Sequence, residues 1–283
     1  MRKSIFEIVS SNINMQSEVI RIYRMAKQEK ILCVDGCIYY TLFDYVDEYC
    51  FGGWEHRGHF IDVNDYLKAV RFGELWSNAC DDVDAFLTFI ELVYNFWELS
   101  YQDVNVEEAG WCGNYFHLKE VMDDLLEQYN HTAYVNEEKN CVLVVEDKSE
   151  VTSVSEIVPS ALAYDVIKYN HRSLKGQIEL KKSILISLGA ELEPKRKDLQ
   201  GINKQLSEDV FFMLNNINIR HNNRSKKDVS KYKEYVAKMT KKQMEKWFDE
   251  LYQMILLAIL LLDNVERSKK VKKLKDNVTG IKV

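Results

Sequence analysis

Met254-Ile255-Leu256-Leu257-Ala258-Ile259-Leu260-Leu261-Leu262 is an unbroken apolar run. A helix of that length rises only ~13 Å, against the ~30 Å of hydrocarbon in a bilayer, so the run suits the centre of a helical bundle and not a membrane span. Thr240-Lys241-Lys242-Gln243 just upstream has the form of a capping box and opens the same helix. Downstream the chain turns basic, in Lys269-Lys270-Val271-Lys272-Lys273-Leu274-Lys275. Leu256 and Leu260 are therefore expected to be almost wholly buried. Composition agrees: with 2 Pro and 11 Gly in 283 residues, both helix breakers are scarce. Long helices follow, and a loop-rich β-sandwich is excluded. The expected fold is mainly α, a helical bundle with one small β-hairpin.

The rest of the chain fills in that outline. Ile5, Ile8, Val9, Val19, Ile20 and Tyr23 recur at helical spacing over 4–30. Tyr39 to Tyr49 reads as a second helix, aromatic and acidic, and Gly52 to Gly58 breaks it. Asp62 can cap a helix through Tyr66, Leu67, Val70 and Leu75, and Asp81 or Asp82 one through Phe86, Phe89, Ile90, Val93 and Phe96. A turn at Gly110-Trp111-Cys112-Gly113 precedes a helix over Tyr115–Tyr129. Thr132–Val135 and Cys141–Val145 are β-rich on either side of Asn136–Asn140, which predicts a hairpin lying against helices. After Pro159 the pattern is helical again, broken at Gly189 and Pro194, and a further helix covers Leu206 to Ile219.

Charge divides the chain. Residues 1–150 carry 12 Lys and Arg against 28 Asp and Glu, and residues 151–283 carry 26 against 16, so a net −6 conceals halves of −16 and +10. The polar stretch Asp147–Ser155 places the boundary, giving an acidic, aromatic-rich helical domain over 1–150 and a basic helical bundle over 151–283. Such asymmetry points to a polyanion for the basic half, RNA being the expected partner, to mutual attraction of the halves, or to nothing more than solvated helix faces. The six cysteines form no C-x-x-C pair and read as small buried hydrophobes of a cytoplasmic chain. Cys50 with His56 and His59 is the one arrangement with zinc-like ligands, but no second pair completes a tetrahedral set. The opening Met1-Arg2-Lys3-Ser4-Ile5-Phe6-Glu7 has no secretory apolar stretch. No metal, cofactor or membrane association is expected.

No Gly-rich phosphate loop, G-x-S-x-G elbow or H-E-x-x-H pair is present, which removes the common nucleotide-driven and zinc-hydrolase chemistries. What remains is Arg220-His221-Asn222-Asn223 at the end of an apolar helix. Metal-independent RNA cleavage needs a cation for the phosphorane charge, a proton carrier and a donor that orients the phosphate. Arg220, His221 and Asn222 or Asn223 supply those types, with His171 in reserve. Arg224, Lys226, Lys227, Lys231, Arg172 and Lys175 would hold the strand. The alternative is C-terminal capping of the helix by Asn and basic side chains.

The segment "IRHNN" followed by "KWFDELYQMILLAILLLDNVERSKKVKKL" resembles C-terminal parts of bacterial abortive-infection proteins, and a bundle with an Arg-plus-polar pair between its last helices resembles the HEPN superfamily of defence ribonucleases. The resemblance covers 159–275. It implies a metal-independent endoribonuclease acting as a dimer, or a nucleic-acid-directed defence effector. Arg220 and His221 match the Arg and polar slots of the family motif. No His lies between Asn222 and Tyr232, so the family's catalytic slot is empty. Either His221 or His171 takes its place, or the chain is a non-enzymatic interaction or regulatory module partnered by another protein of the same defence system.

Overall fold

Helix starts in this chain are fixed by short polar side chains. Asn14, Thr41, Asp62, Asp82, Asn203 and Thr240 each accept a hydrogen bond from the backbone amide three residues ahead, at 2.7–3.2 Å. This pairs donors that the first helical turn leaves without intrahelical partners. At Thr240 the bond is reciprocal, because its own amide donates to Gln243 Oε1 at 2.9 Å, as the capping box requires. The computed structural model describes residues 14–34, 37–103, 110–111, 114–227 and 229–279. The fold is mainly α with a small two-stranded hairpin, and the chain divides into two units, 1–146 and 147–283.

The first unit comprises α1 (Met15–Lys27), β1 (Leu32–Val34), β2 (Ile38–Tyr40), α2 (Leu42–Tyr45), α3 (Val63–Ala69), α4 (Phe72–Asn78), α5 (Val83–Gln102), β3 (Gly110–Trp111), α6 (Tyr115–Gln128), β4 (His131–Asn136) and β5 (Cys141–Glu146). The long helix α5 is its centre, buried on several sides through Phe86, Phe89, Ile90, Val93, Phe96 and Trp97. β4 and β5 pair antiparallel from His131↔Glu146 to Asn136↔Cys141. A lone hairpin is marginal in water, and α5 supplies what it lacks. Asn95 of α5 accepts from the Val142 amide and donates to the Val142 carbonyl, both at 2.9 Å, and Glu91 accepts from the Val144 amide at 2.7 Å. Side chains of a helix thus complete the outer edge of β5, a site that would otherwise recruit another strand.

Several sequence expectations are corrected here. Ile38, Tyr39 and Tyr40 form a strand, and the helix begins only at Leu42, running into a π-helical turn over Val46–Cys50. β2, β1 and β3 make a second, antiparallel sheet in that order, with Leu32 opposite both Tyr40 and Trp111. Gly110 and Trp111 are therefore strand residues, and Cys112 and Gly113 lie outside the described residues. The helix from Asp62 ends at Ala69 because Arg71 turns left-handed at φ 53°, so Leu75 belongs to α4. The helical positions Ile5, Ile8 and Val9 lie outside the described residues. His56 is bonded to the Lys139 carbonyl at 2.6 Å and Trp54 to the Asn140 carbonyl at 3.0 Å, so the Gly-rich loop is tied to the β4–β5 turn.

The second unit comprises α7 (Ser149–Ile157), α8 (Ser160–Tyr169), α9 (Ile178–Leu192), α10 (Arg196–Ile202), α11 (Lys204–Asn216), the single turn α12 (Glu234–Ala237) and the long α13 (Lys241–Thr279). α13 packs against α7, α9, α10 and α11. Its buried residues are Met244, Phe248, Leu251, Tyr252, Ile255, Leu256, Ala258 and Ile259. Leu256 is 1% exposed, as the apolar run predicts, but Leu260 is only partly buried and Leu257 faces solvent. A helix presents one stripe to its neighbours, and nine consecutive apolar residues cannot all lie on it. Gly189 does not break a helix either, since α9 runs through it to Leu192. No described helix is long and apolar enough to cross a membrane.

Candidate functional site

α11 ends at Asn216, and Asn218 then adopts the left-handed conformation at φ 68°. Asn tolerates that region better than other side chains with a Cβ, so it can end a helix as glycine does. The Arg220 amide bonds back to the Leu214 carbonyl at 3.0 Å. Asn223 is fully buried. Its Oδ1 accepts from the Asn218 amide at 2.8 Å, its Nδ2 donates to the Lys231 carbonyl at 2.7 Å, and its own carbonyl accepts from the Lys233 amide at 2.9 Å. One side chain thereby joins the start of the loop to its return limb.

Arg220 is equally occupied. Its guanidinium forms an ion pair with Glu193, donates to the Gly189 carbonyl at 2.8 Å, and lies 5.6 Å from the centre of the Phe211 ring. Arg196 covers the same ring at 4.4 Å and reaches Glu193 at 3.6 Å. Two cations, one carboxylate and one aromatic face thus tie the C-terminal end of α9 to α10 and α11. Gly189 permits this approach, because a Cβ there would sit 2.8 Å from Leu214 Cδ2 and 3.3 Å from Arg220 Nη2. Arg220 and Asn223, two members of the sequence-predicted cluster, therefore act in architecture. His221 is half-buried and Asn222 exposed.

His171 is elsewhere. It is buried between α8 and α9, where its Nδ1 faces Ser173 Oγ at 2.7 Å and caps a short 3-10 turn over Arg172–Leu174. It lines a cavity of about 210 Å³ with Lys175, Lys181, Tyr169, Asp249 and Tyr252. Lys181 and Gly189 are eight residues apart on α9, so this cavity and the Arg220 anchor are ~12 Å apart along the helix axis. A proton carrier at His171 and a phosphorane cation at Arg220 do not share a reaction centre.

The cavity holds a polar knot that the sequence reading missed. Lys181 is buried and bonds to Glu245 at 2.9 Å and Asp249 at 2.8 Å. Tyr169 donates to the same Asp249 oxygen at 3.1 Å and stacks on Tyr252 at 4.0 Å. Burial, then Asp249, raises the pKa of the Tyr169 hydroxyl. For Glu245 burial acts upward, but the Gly176 amide and Lys181 outweigh it and hold the carboxyl below its ordinary value. A carboxyl lowered on folding stabilises the fold above its unfolded pKa, and that contribution is lost as pH falls through the folded value. Glu245→Gln should therefore cost stability at neutral pH, and the gap to the parent should close as pH falls below ~4. Thermal melts of both proteins from pH 7 to 3 measure this; a gap constant with pH would refute it. The spacing of Lys181 with Leu185 and Leu188 places it on the inward face of α9 and was the available signal.

The chain matches no protein-family model, no curated protein and no solved structure. The chemistry of its surface is then the guide. Of the cations expected to hold a nucleic acid, Arg224, Lys226, Lys227 and Lys231 are exposed on the loop that Asn223 pins. Lys175 is exposed beside the His171 cavity and Arg172 is half-buried there, so these two belong to a different region of the unit. Lys226 lies 5.7 Å over the Tyr232 ring, and Tyr235 is 73% exposed just beyond the loop. The arrangement offers cations and aromatic faces together, with its backbone held from within.

Proposed function

We propose that this protein is a helical RNA-binding module that holds single-stranded RNA on the loop 217–233 and performs no cleavage at Arg220–Asn223. One observation carries the reading: Asn223, wholly buried, fixes a loop whose exposed side chains include Arg224, Lys226, Lys227, Lys231 and Lys233, with Tyr235 beside them. Single strands are bound by cations that follow the phosphates together with aromatic faces on which bases stack, and this loop has both. The ribonuclease alternative loses support because Arg220 is spent on Glu193 and the Gly189 carbonyl. Joined to the resemblance of 159–275 to the HEPN superfamily, the proposal makes the chain a non-catalytic, nucleic-acid-directed component of bacterial defence.

The test is binding of a labelled single-stranded RNA by fluorescence anisotropy across a salt series. The parent should weaken steeply with salt. Reversing charge at Lys226, Lys227 and Lys231 together should weaken binding at least ~10-fold and flatten the log–log salt slope by about 2, because each phosphate contact on a single strand contributes ~0.7. Unchanged affinity in that variant would overturn the site. RNA cleavage that His221→Ala abolishes while the fold is kept would overturn the non-catalytic reading.

A further inference from the structure

α13 outlasts the bundle that it fills. From Glu266 to Thr279 its residues are exposed except Asp276, which is half-buried. At 1.5 Å per residue this is ~20 Å of helix beyond the packed part. On it Val271, Leu274 and Val278 are 47%, 60% and 77% exposed. Their spacing of three and four places them on one side of the helix, and the same 3–4 rhythm extends inward through Arg267 and Asn264. Val, Leu and Val in alternation are the residues that a and d positions of a two-stranded coiled coil prefer, and an Asn at an a position sets register.

Charge selects the occupant. Residues 264–279 carry six Lys and Arg against two Asp and Glu. Lys270 and Lys275 flank the apolar stripe at the g and e positions, which contact the partner helix. In a parallel pairing with a second copy, lysine would oppose lysine across the seam, so self-association is disfavoured. A lipid surface would need a wide apolar face, commonly with aromatic residues, whereas this stripe is one residue wide and aliphatic, the narrow form proper to a helix–helix seam. RNA has no use for an exposed leucine on the far side of the lysines.

We infer that the C-terminal end of α13 is one half of a heterotypic coiled coil and receives an amphipathic helix of a partner protein with aliphatic residues at a and d and Glu or Asp at e and g. This inference stands apart from the RNA reading, because it uses a different element and a different chemistry.

The experiment uses the full chain and a synthetic peptide of about three heptads, with Val at a, Leu at d and Glu at e and g. Isothermal titration should show one peptide per chain. Leu274→Ser, at an exposed position, should leave the thermal midpoint unchanged and weaken the peptide at least ~10-fold, because burying a leucine is worth that much in affinity. A peptide with Lys at e and g should not bind, and RNA affinity of Leu274→Ser should equal the parent's. Four results would overturn the inference: no binding of the acidic peptide, equal binding by Leu274→Ser, a dimer of the chain alone that Leu274→Ser dissolves, or co-sedimentation with phosphatidylserine vesicles that Leu274→Ser abolishes. Loss of RNA binding in the Lys226, Lys227, Lys231 variant with peptide binding intact would confirm that the two sites fail separately.

Discussion

Leu256→Ala should destabilise the second unit by ~2–5 kcal/mol, the range for removing most of a leucine side chain from a packed core. Leu256 is 1% exposed on α13, in line with Tyr252 and Ile259 on the buried side of that helix. The bundle can close around the missing atoms only if α7, α9, α10 or α11 moves. Each is held in place by contacts of its own, such as the Arg220–Glu193 pair and the capping bond of Asn203 on Leu206. Chemical denaturation of the parent and the variant measures the difference. The partly exposed Leu260, one turn later, supplies the contrast: Leu260→Ala should cost clearly less, because part of its side chain already meets water. Equal costs at the two positions would show that α13 is not oriented as described.

The difference between those two leucines marks what a sequence can and cannot convey. The apolar run marks α13 as the helix around which the second unit packs, since so many consecutive aliphatics need neighbours on at least one face and no described helix is long and apolar enough to cross a membrane. It does not fix rotation about the axis, which depends on where α7 and α9 happen to lie. Helix starts were legible at Asp62, at Asp81 or Asp82, of which Asp82 is the cap, and at Thr240, because capping is local chemistry acting over three residues. Tyr39 and Tyr40 were read as the start of a helix and are strand residues, because aromatic residues serve either element. Leu32 pairs with Tyr40 across β1 and β2, a partnership that helical spacing does not express. The third strand, Gly110–Trp111, joins β1 across most of the first unit, and no local pattern announces it.

The candidate site was legible in its composition and not in its roles. Arg220, His221, Asn222 and Asn223 stand together in sequence, yet one ties α9 to α11, one is buried inside the loop, and two face outward to different degrees. Adjacent residues in a turn point in divergent directions, so adjacency in sequence is weak evidence for convergence on a substrate. Gly189 carries part of the missing information, because a Cβ there would press on Leu214 and crowd the Arg220 guanidinium, and that becomes visible only once the helices are packed.

Asn223→Ala is expected to cost ~2–5 kcal/mol, and it tests the architecture and the proposed function together. The substitution removes two side-chain hydrogen bonds at a wholly buried position. It strands the Asn218 amide and the Lys231 carbonyl, and an unsatisfied buried polar group costs ~1–3 kcal/mol. The Asn218 left-handed turn then loses its inner anchor, and the return limb that carries Lys231 and Lys233 is released. None of the loop's cations is altered, so any change in RNA affinity reports on how they are held. Asn223→Ala should therefore lower thermal stability and also weaken RNA at temperatures where the unit remains folded, with a salt slope shallower than the parent's as fewer cations reach the phosphates at once. Circular dichroism at the binding temperature establishes that the helices persist. Full RNA affinity with reduced stability would mean that the loop needs no fixed shape to bind. Unchanged stability would mean that Asn223 does not hold the loop, and the architectural role assigned to it would fall.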